Sequence, residues 1–308
     1  MKVAIVILNW NGAHYLEQFL PILQKHTPAF LATIIVADNG STDNSISLLK
    51  EKFKEIKLIR FSQNYGFAGG YNRALAQIEA DCYVILNSDV EVTEGWLAPM
   101  IDYLEQHPDV VACQPKVLSY NNRNYFEHAG AAGGFMDYLG YPFCRGRVLS
   151  HLEEDRGQYD TISDVFWATG ACLVIRAKTF HQAGGFDAAF FAHMEEIDLC
   201  WRLRNRNHRI VCIPQSKIYH VGGGTLQVEH PQKTYLNFRN NLLMLYKNLH
   251  PSKLFSVLTI RFFMDYLAAF QLLITGKPKN ARAVLKARIA YRKMRPRFKQ
   301  KRFANLQS

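Results

Sequence analysis

Val3-Ala4-Ile5-Val6-Ile7-Leu8 is an unbroken apolar run, rich in β-branched residues, that stops at Asn9-Trp10-Asn11-Gly12. Such a run fits a strand covered on both faces, the environment of a parallel sheet. Residues 13–25 then follow a helical amphipathic pattern. Ala32-Thr33-Ile34-Ile35-Val36-Ala37 is a second run, closed by the turn and cap residues Asp38-Asn39-Gly40-Ser41-Thr42-Asp43 ahead of a helical pattern at 44–54. A third strand is expected at 56–61, followed by Gln63-Asn64-Tyr65-Gly66-Phe67 and a helix near 67–79. Cys82-Tyr83-Val84-Ile85-Leu86 is the fourth strand, ending in Asn87-Ser88-Asp89. Repetition of strand, loop and helix predicts an α/β sheet built from right-handed crossovers. Ligands of such sheets bind beyond the carboxyl ends of the strands. All four polar clusters fall at that edge, and their convergence predicts one site.

Further along, residues 116–163 lose periodicity and are expected to form a long loop or insertion over the site, on the acceptor side. Order returns over 165–175, with a helix near 177–183, an acidic helix start at Glu195-Glu196-Ile197-Asp198, and a strand at 209–213 ending in Pro214. His220 through Thr225 reads as a glycine-rich loop. After about residue 246 the composition changes. Residues 254–275 are strongly apolar but carry Arg261 and Asp265, which could pair at i,i+4. An interfacial helix followed by a basic one is the expectation, giving a main domain over 1–245 and a helical extension over 246–308.

The net charge of +11 is local in origin. Residues 277–308 hold twelve Lys/Arg and no acid, which leaves 25 basic and 26 acidic side chains in the rest of the chain. No nucleic-acid recognition module accompanies this basic segment, so no nucleic-acid partner is expected; an anionic membrane surface is. At 48% hydrophobic and 20% charged the chain is not of the disordered class. The six cysteines form no C-x-x-C and no zinc spacing, and buried thiols are expected. Residues 3–8 are too short for a secretory leader, so catalysis on the cytoplasmic side, peripheral on the inner face of the cell membrane, is expected. Walker A, G-x-G-x-x-G after a strand, and G-x-S-x-G are all missing, which removes the main support for kinase, dinucleotide oxidoreductase and hydrolase readings.

What remains is carboxylates and amides at strand ends. Asp89, after an apolar strand, suits a hard divalent cation, or else caps a turn. Glu195, Glu196 and Asp198 either favour the dipole of a helix start or supply a general base for a hydroxyl. His220 could ligate a metal, with its glycines letting backbone approach phosphate, or be structural.

In order, V-A-I-V-I-L-N-W-N-G, V-A-D-N-G-S-T-D, N-Y-G-F-A-G-G-Y-N, I-L-N-S-D-V, W-A-T-G-A-C-L-V-I-R, G-G-F-D, E-E-I-D-L-C-W-R and H-V-G-G-G-T resemble glycosyltransferase family 2, most of all its rhamnosyltransferase-like branch. The resemblance spans about residues 3–245. It implies a GT-A fold with a mixed, mostly parallel sheet, a divalent cation (Mg²⁺ or Mn²⁺), a nucleotide-sugar donor and inverting transfer to a lipid-linked or polysaccharide acceptor. Carried over, Asp38 meets the nucleobase or ribose, and Asn9, Asn11, Asn64, Gly66 and Asn72 line the donor pocket. Asn87-Ser88-Asp89 stands at the D-x-D position with Asn in place of the first Asp, leaving Asp89 as the main metal ligand beside His220. Trp167, Thr169 and Gly170 line the acceptor side. Glu196 matches the base, with Glu195 and Asp198 as neighbouring candidates. Helix N-termini are expected to face the departing diphosphate. A weakly catalytic nucleotide- or sugar-binding protein and a nucleotidyltransferase are the other classes; the latter would release pyrophosphate from a nucleoside triphosphate.

Overall fold

The structure is a computed structural model that describes residues 1–127, 130–148, 151–222 and 230–307. The first apolar run forms β1 (Val3–Asn9), and its inner residues are buried on both faces. Ala4 and Val6 point into one apolar layer, Ile5 and Ile7 into the other, as the two-residue period of a strand requires. The chain continues through α1 (Ala13–Lys25), β2 (Thr33–Asp38), α2 (Ser45–Lys52), β3 (Lys57–Arg60), α3 (Gly66–Leu75), β4 (Cys82–Leu86), β5 (Val90–Val92) and α4 (Ala98–Gln106). Strands β3, β2, β1 and β4 lie side by side and parallel, so the polar ends Asp38, Asn9 and Asn87 share one edge. Asn9 is paired in register with Asp38.

The second half of the sheet is mixed. Its strands are β6 (Val110–Ser119), β11 (Ser163–Asp164), β12 (Cys172–Arg176) and β13 (Arg209–His220), with α5 (Ala177–Gln182) and α6 (Glu195–Asn205) between the last two, and a separate antiparallel sheet of β7 (Gly134–Met136), β8 (Pro142–Cys144), β9 (Arg147–Val148) and β10 (His151–Leu152) lies between β6 and β11 in the chain. Strand order is β11-β13-β6-β12-β4-β1-β2-β3, with β5 on β13. The fold is the expected α/β GT-A arrangement. Three local expectations change. The 116–163 segment is not merely a loop, because β7 to β10 pair with one another. Order over 165–175 is strand only from Cys172. Nor does Pro214 end its strand: β13 shifts register between Ile213 and Lys217 and resumes, the usual way a ladder passes a residue without an N–H. All six cysteines are buried and free.

Helix α7 (Pro231–Asn248) runs across the expected boundary at 245/246, and α8 (Pro251–Ile274), α9 (Pro278–Met294) and α10 (Lys299–Gln307) follow. The basic segment is folded against the rest of the chain. Phe298 stacks on Phe190 with ring centroids 6.2 Å apart, Lys301 reaches Asp187, and Arg302 donates to the carbonyl of Leu249 at 2.8 Å.

Candidate active site

The strand-end amides and acids mostly bind one another. Asn9 is fully buried and donates through Nδ2 to Asp38 Oδ1 and Ser41 Oγ, both at 3.2 Å. Asp38, also fully buried, accepts the Ser41 N–H at 3.0 Å. Asn11 sits at φ 53° in the left-handed region, and its Oδ1 accepts the Thr42 N–H at 2.7 Å. Asn64 Oδ1 accepts from the Gly66 N–H at 2.7 Å and from Asn39 Nδ2 at 3.0 Å. Gly66, at φ 73°, has no room for a side chain: a Cβ there would lie 2.5 Å from the Phe191 ring. Asn39 was not among the expected residues, yet its buried amide ties Asn64, Tyr65 and Gly66 together. Asn72 is turned away from the strand ends. It brackets the Phe186 backbone, donating to its carbonyl at 2.7 Å and accepting its N–H at 2.9 Å.

At the helix starts some of the N–H groups are already taken by neighbouring side chains and carbonyls. Asp43 accepts the N–H groups of Ala13 and Ser45, Asn64 that of Gly66, and the Phe191 carbonyl that of Ala68. These donors are already satisfied within the loops.

Asp89 and His220 are far apart in sequence and are brought together by the pairing of β5 with β13, which sets His220 opposite Val90. The Val221 N–H donates to the Asp89 carbonyl at 3.1 Å. His220 Nε2 lies 3.2 Å from Asp89 Oδ1, and its Nδ1 lies 3.1 Å from Glu127 Oε2. All three residues are buried, and neither ring nitrogen makes an aligned hydrogen bond. Burial alone would push the imidazole down, but the carboxylates of Asp89 and Glu127 prevail and hold it up to about 10. Burial likewise would raise Asp89, and the imidazolium keeps it below the ordinary value instead. Glu127 lies in the 116–163 segment, where no motif marked it. Among the described residues no three His, Cys, Asp or Glu side chains converge as a closed metal cage. Asp89 and His220, whose buried ring nitrogens make no aligned hydrogen bond, are the side chains that could serve on one side of an open cation site, with substrate oxygens and water completing the shell. Gly223, Gly224 and Thr225 lie outside the described residues.

The three acids of α6 have different surroundings. Asp198 is fully buried and accepts from Arg202 Nε at 2.9 Å, Lys247 Nζ at 2.7 Å and Asn248 Nδ2 at 2.8 Å. Ringed by donors, it anchors an ion pair, and both of its oxygens are already engaged. Glu195 is buried with Oε2 unpartnered, and burial followed by repulsion from Glu196 raises its carboxyl well above the usual range. Glu196 is part-exposed, but its Oε2 is closed to solvent and unpartnered, and this desolvation pushes it up to about 7. A Cβ on Gly170 would come within 3.8 Å of the Glu196 carboxyl carbon. One residue on, the Ala171 carbonyl accepts the Asn87 N–H at 3.0 Å. The 169–171 loop therefore stands between the Asn87–Asp89 turn and Glu196.

That loop is held from behind. The Thr169 N–H donates to Gln114 Oε1 at 3.0 Å, and Trp167 Nε1 to the Phe135 carbonyl at 2.8 Å. Trp167 and Thr169 are buried, so they shape the wall rather than line it openly. The approach to α6 is strained: Phe191, His193 and Met194 have φ of 67°, 69° and 72°. Such residues cost of order 1–3 kcal/mol each and persist where surroundings overdetermine them. Asn240 Nδ2 supplies that support, donating to the carbonyls of Phe190, Ala192 and His193 at 3.0, 2.9 and 2.8 Å. The sequence signal was present in Asn237-Phe238-Arg239-Asn240-Asn241, since asparagine is a poor mid-helix residue unless its side chain is engaged.

Residues 4–182 match the family model described as Glycosyl transferase family 2. N-acetylglucosaminyl-diphospho-decaprenol L-rhamnosyltransferase of Mycobacterium tuberculosis is 26% identical over 231 residues, covering 70% of this chain and 75% of that protein. GalNAc-T7, solved with UDP, GalNAc and Mn²⁺, superposes with a TM-score of 0.62 at 15% identity over 80% of this chain and 48% of that one, so this chain spans about half its length. S. aureus TarS 1–349 in complex with UDP-GlcNAc gives a TM-score of 0.59 at 16% identity over 99% and 89% of the two chains. At these identities the solved structures establish the fold.

Proposed function

The chain belongs to glycosyl transferase family 2 and is a glycosyltransferase, and from that premise we propose inverting transfer of a sugar from a nucleotide-diphosphate donor, TDP-rhamnose-like or a UDP-sugar, to a hydroxyl of a lipid-linked or polysaccharide acceptor at the cytoplasmic face of the membrane. The observation that carries the reading is the 169–171 loop, flanked by the Asn87–Asp89 turn on one side and the desolvated Glu196 carboxyl on the other. The mycobacterial relative named for a diphospho-decaprenol acceptor supports the acceptor class.

Asp89 and His220 would hold the divalent cation, which when bound neutralises charge developing on the leaving diphosphate. Loading would require His220 to give up its proton, because a ligating imidazole is neutral. Asp38 and Asn9, locked together at adjacent strand ends, form the rigid floor on which the nucleoside is oriented. Glu196 takes the acceptor hydroxyl proton as the oxygen attacks the anomeric carbon. Its raised basicity strengthens it as a base while leaving a large share ionised at neutral pH. Beside it, Glu195 is held well above the usual carboxyl range by burial and by repulsion from Glu196.

Thermal unfolding with UDP, TDP and GDP, each with and without Mn²⁺ or Mg²⁺, tests this reading. One nucleotide is expected to stabilise the protein in a metal-dependent way, by about 2.7 kcal/mol at a hundredfold excess over its Kd. No shift with any nucleotide would sink the donor assignment. Asp89→Asn is expected to weaken that nucleotide at least about tenfold in Mn²⁺ while leaving metal-free binding unchanged. Unchanged affinity in Mn²⁺, measured by calorimetry, would make Asp89 a turn cap.

A further inference from the structure

Helix α8 is inverted relative to a soluble helix. Its buried stripe, Val257, Arg261, Asp265 and Ala269, recurs every four residues and contains both of its central charges. Arg261 donates to Asn241 Oδ1 at 2.6 Å and to the Leu139 carbonyl at 3.0 Å, and Asp265 pairs with Arg288 of α9. The outward face is apolar: Phe255, Phe263, Leu267, Phe270, Leu273 and Ile274 are all more than half exposed. The helix is long and apolar enough to cross a bilayer. Its charged stripe, however, is packed on α9, whose own outer face carries Arg282, Lys286, Arg292 and Lys293 with Leu285 and Ile289 between them. A helix bound along its length to so basic a partner fits the plane of an interface, not a span.

Charge selects the occupant. From residue 251 to the end of the chain the one acidic side chain is Asp265, and it is fully buried. A second copy docked face to face would oppose two basic surfaces, whereas an anionic headgroup layer complements them. The exposed Tyr138, at the tip of the β7–β8 hairpin, lies under Lys253 with the ammonium 5.3 Å from its ring. Through Arg261 and the Leu139 carbonyl this hairpin is pinned to α8, and through Phe135 it holds Trp167 behind the 169–171 loop.

We propose that α8 lies in the plane of an anionic bilayer surface, with its phenylalanine and leucine face among the acyl chains and α9's basic face on the headgroups, and that the hairpin pinned to it brings the acceptor wall to the same surface. The second half rests on the lipid-linked acceptor proposed above; the first half does not.

The test is co-sedimentation of the full chain with phosphatidylglycerol or phosphatidylcholine vesicles. Partition onto phosphatidylglycerol is expected to exceed that onto phosphatidylcholine at least about tenfold, and the triple variant Phe263→Ser, Leu267→Ser, Phe270→Ser to lose it at least about tenfold. Its Tm and metal-dependent nucleotide binding should stay at wild-type values, which separates loss of docking from loss of the fold or of the donor site. Tyr138→Trp should add blue-shifted emission on phosphatidylglycerol vesicles, and no shift refutes the hairpin's place at the surface. Equal partition onto both lipids, or undiminished binding by the triple variant, overturns the docking proposal. So does a wild-type dimer in sedimentation velocity that the triple variant dissolves, since the occupant is then a second copy.

Discussion

Glu196→Gln is expected to lower turnover at least about 100-fold while nucleotide affinity stays within about twofold of wild type. The substitution keeps the size of the side chain beside Gly170 and removes only its capacity to take a proton. Because the donor side lies across the 169–171 loop, ground-state nucleotide binding should not register the change. The pH dependence follows from the ionisation: under the proposed assignment the base works as carboxylate, and desolvation raises Glu196 to about 7. Turnover should therefore fall as pH drops through about 7, approaching tenfold per unit on the acid limb, and this limb should vanish in the variant. Glu195→Gln is the control. Glu195 is buried and its carboxyl is raised well above the usual range, so an uncharged amide of the same shape should preserve most of the turnover. Its folded-state pKa lies above the unfolded one, so the native state binds the extra proton and wild-type stability declines as pH rises from the unfolded value. Glu195→Gln should remove that decline, seen as a smaller drop in Tm between pH 5.5 and 8. Near-normal kcat for Glu196→Gln, or a collapse for Glu195→Gln alone, would reverse the two roles.

Asp198→Ala should have the largest effect on stability, roughly 3–5 kcal/mol, because it strands buried cations whose partner is gone. Among the described residues Arg202 would keep the carbonyls of Ala183 and Gly185, and Lys247 would keep Asp187 and the Phe190 ring. Asn248, which also receives from Asn305 of α10, would lose the acceptor that ties α7 to α6. In Tm this corresponds to a fall of roughly 5–8 °C for a chain of this size. The damage should be to the population of folded protein, so kcat per folded molecule should change far less than in Glu196→Gln. A Tm within about 2 °C of wild type would show that the network carries little net stability, as buried pairs sometimes do. Paired measurement of the two variants separates the acid that reacts from the acid that holds the helix.

The strands at 3–9, 33–38 and 82–86 were legible because strands inside a parallel sheet are apolar almost throughout, whereas the edge strand at 57–60, with Lys57 and Arg60 at its ends, was legible from its place in the repeat of strand and helix. Their polar ends were legible for the same reason, since an interruption in such a run lies at the sheet edge. Pairings set by long-range register were not. The family resemblance, not any local signal, set Asp89 beside His220, and nothing local to the aperiodic 116–163 segment marks Glu127; the β5–β13 ladder makes the one contact and burial makes the other. The acids Glu195, Glu196 and Asp198 read alike as a helix start. They differ because helical rotation turns Asp198 toward Lys247 and Asn248 of α7 and Glu196 toward Gly170.

By itself the sequence determined the α/β order, the single polar edge and the family, because each rests on local periodicity and on motifs in a fixed order. Only the tertiary structure decided which acids keep an oxygen without a partner, that the basic C-terminal segment braces the fold through Lys301 and Arg302, and that α8 turns its charges inward and its phenylalanines out. The physical reason is the same in each case. Hydrophobicity and propensity are properties of one segment, whereas the surroundings of a charge are set by whatever distant element packs against it.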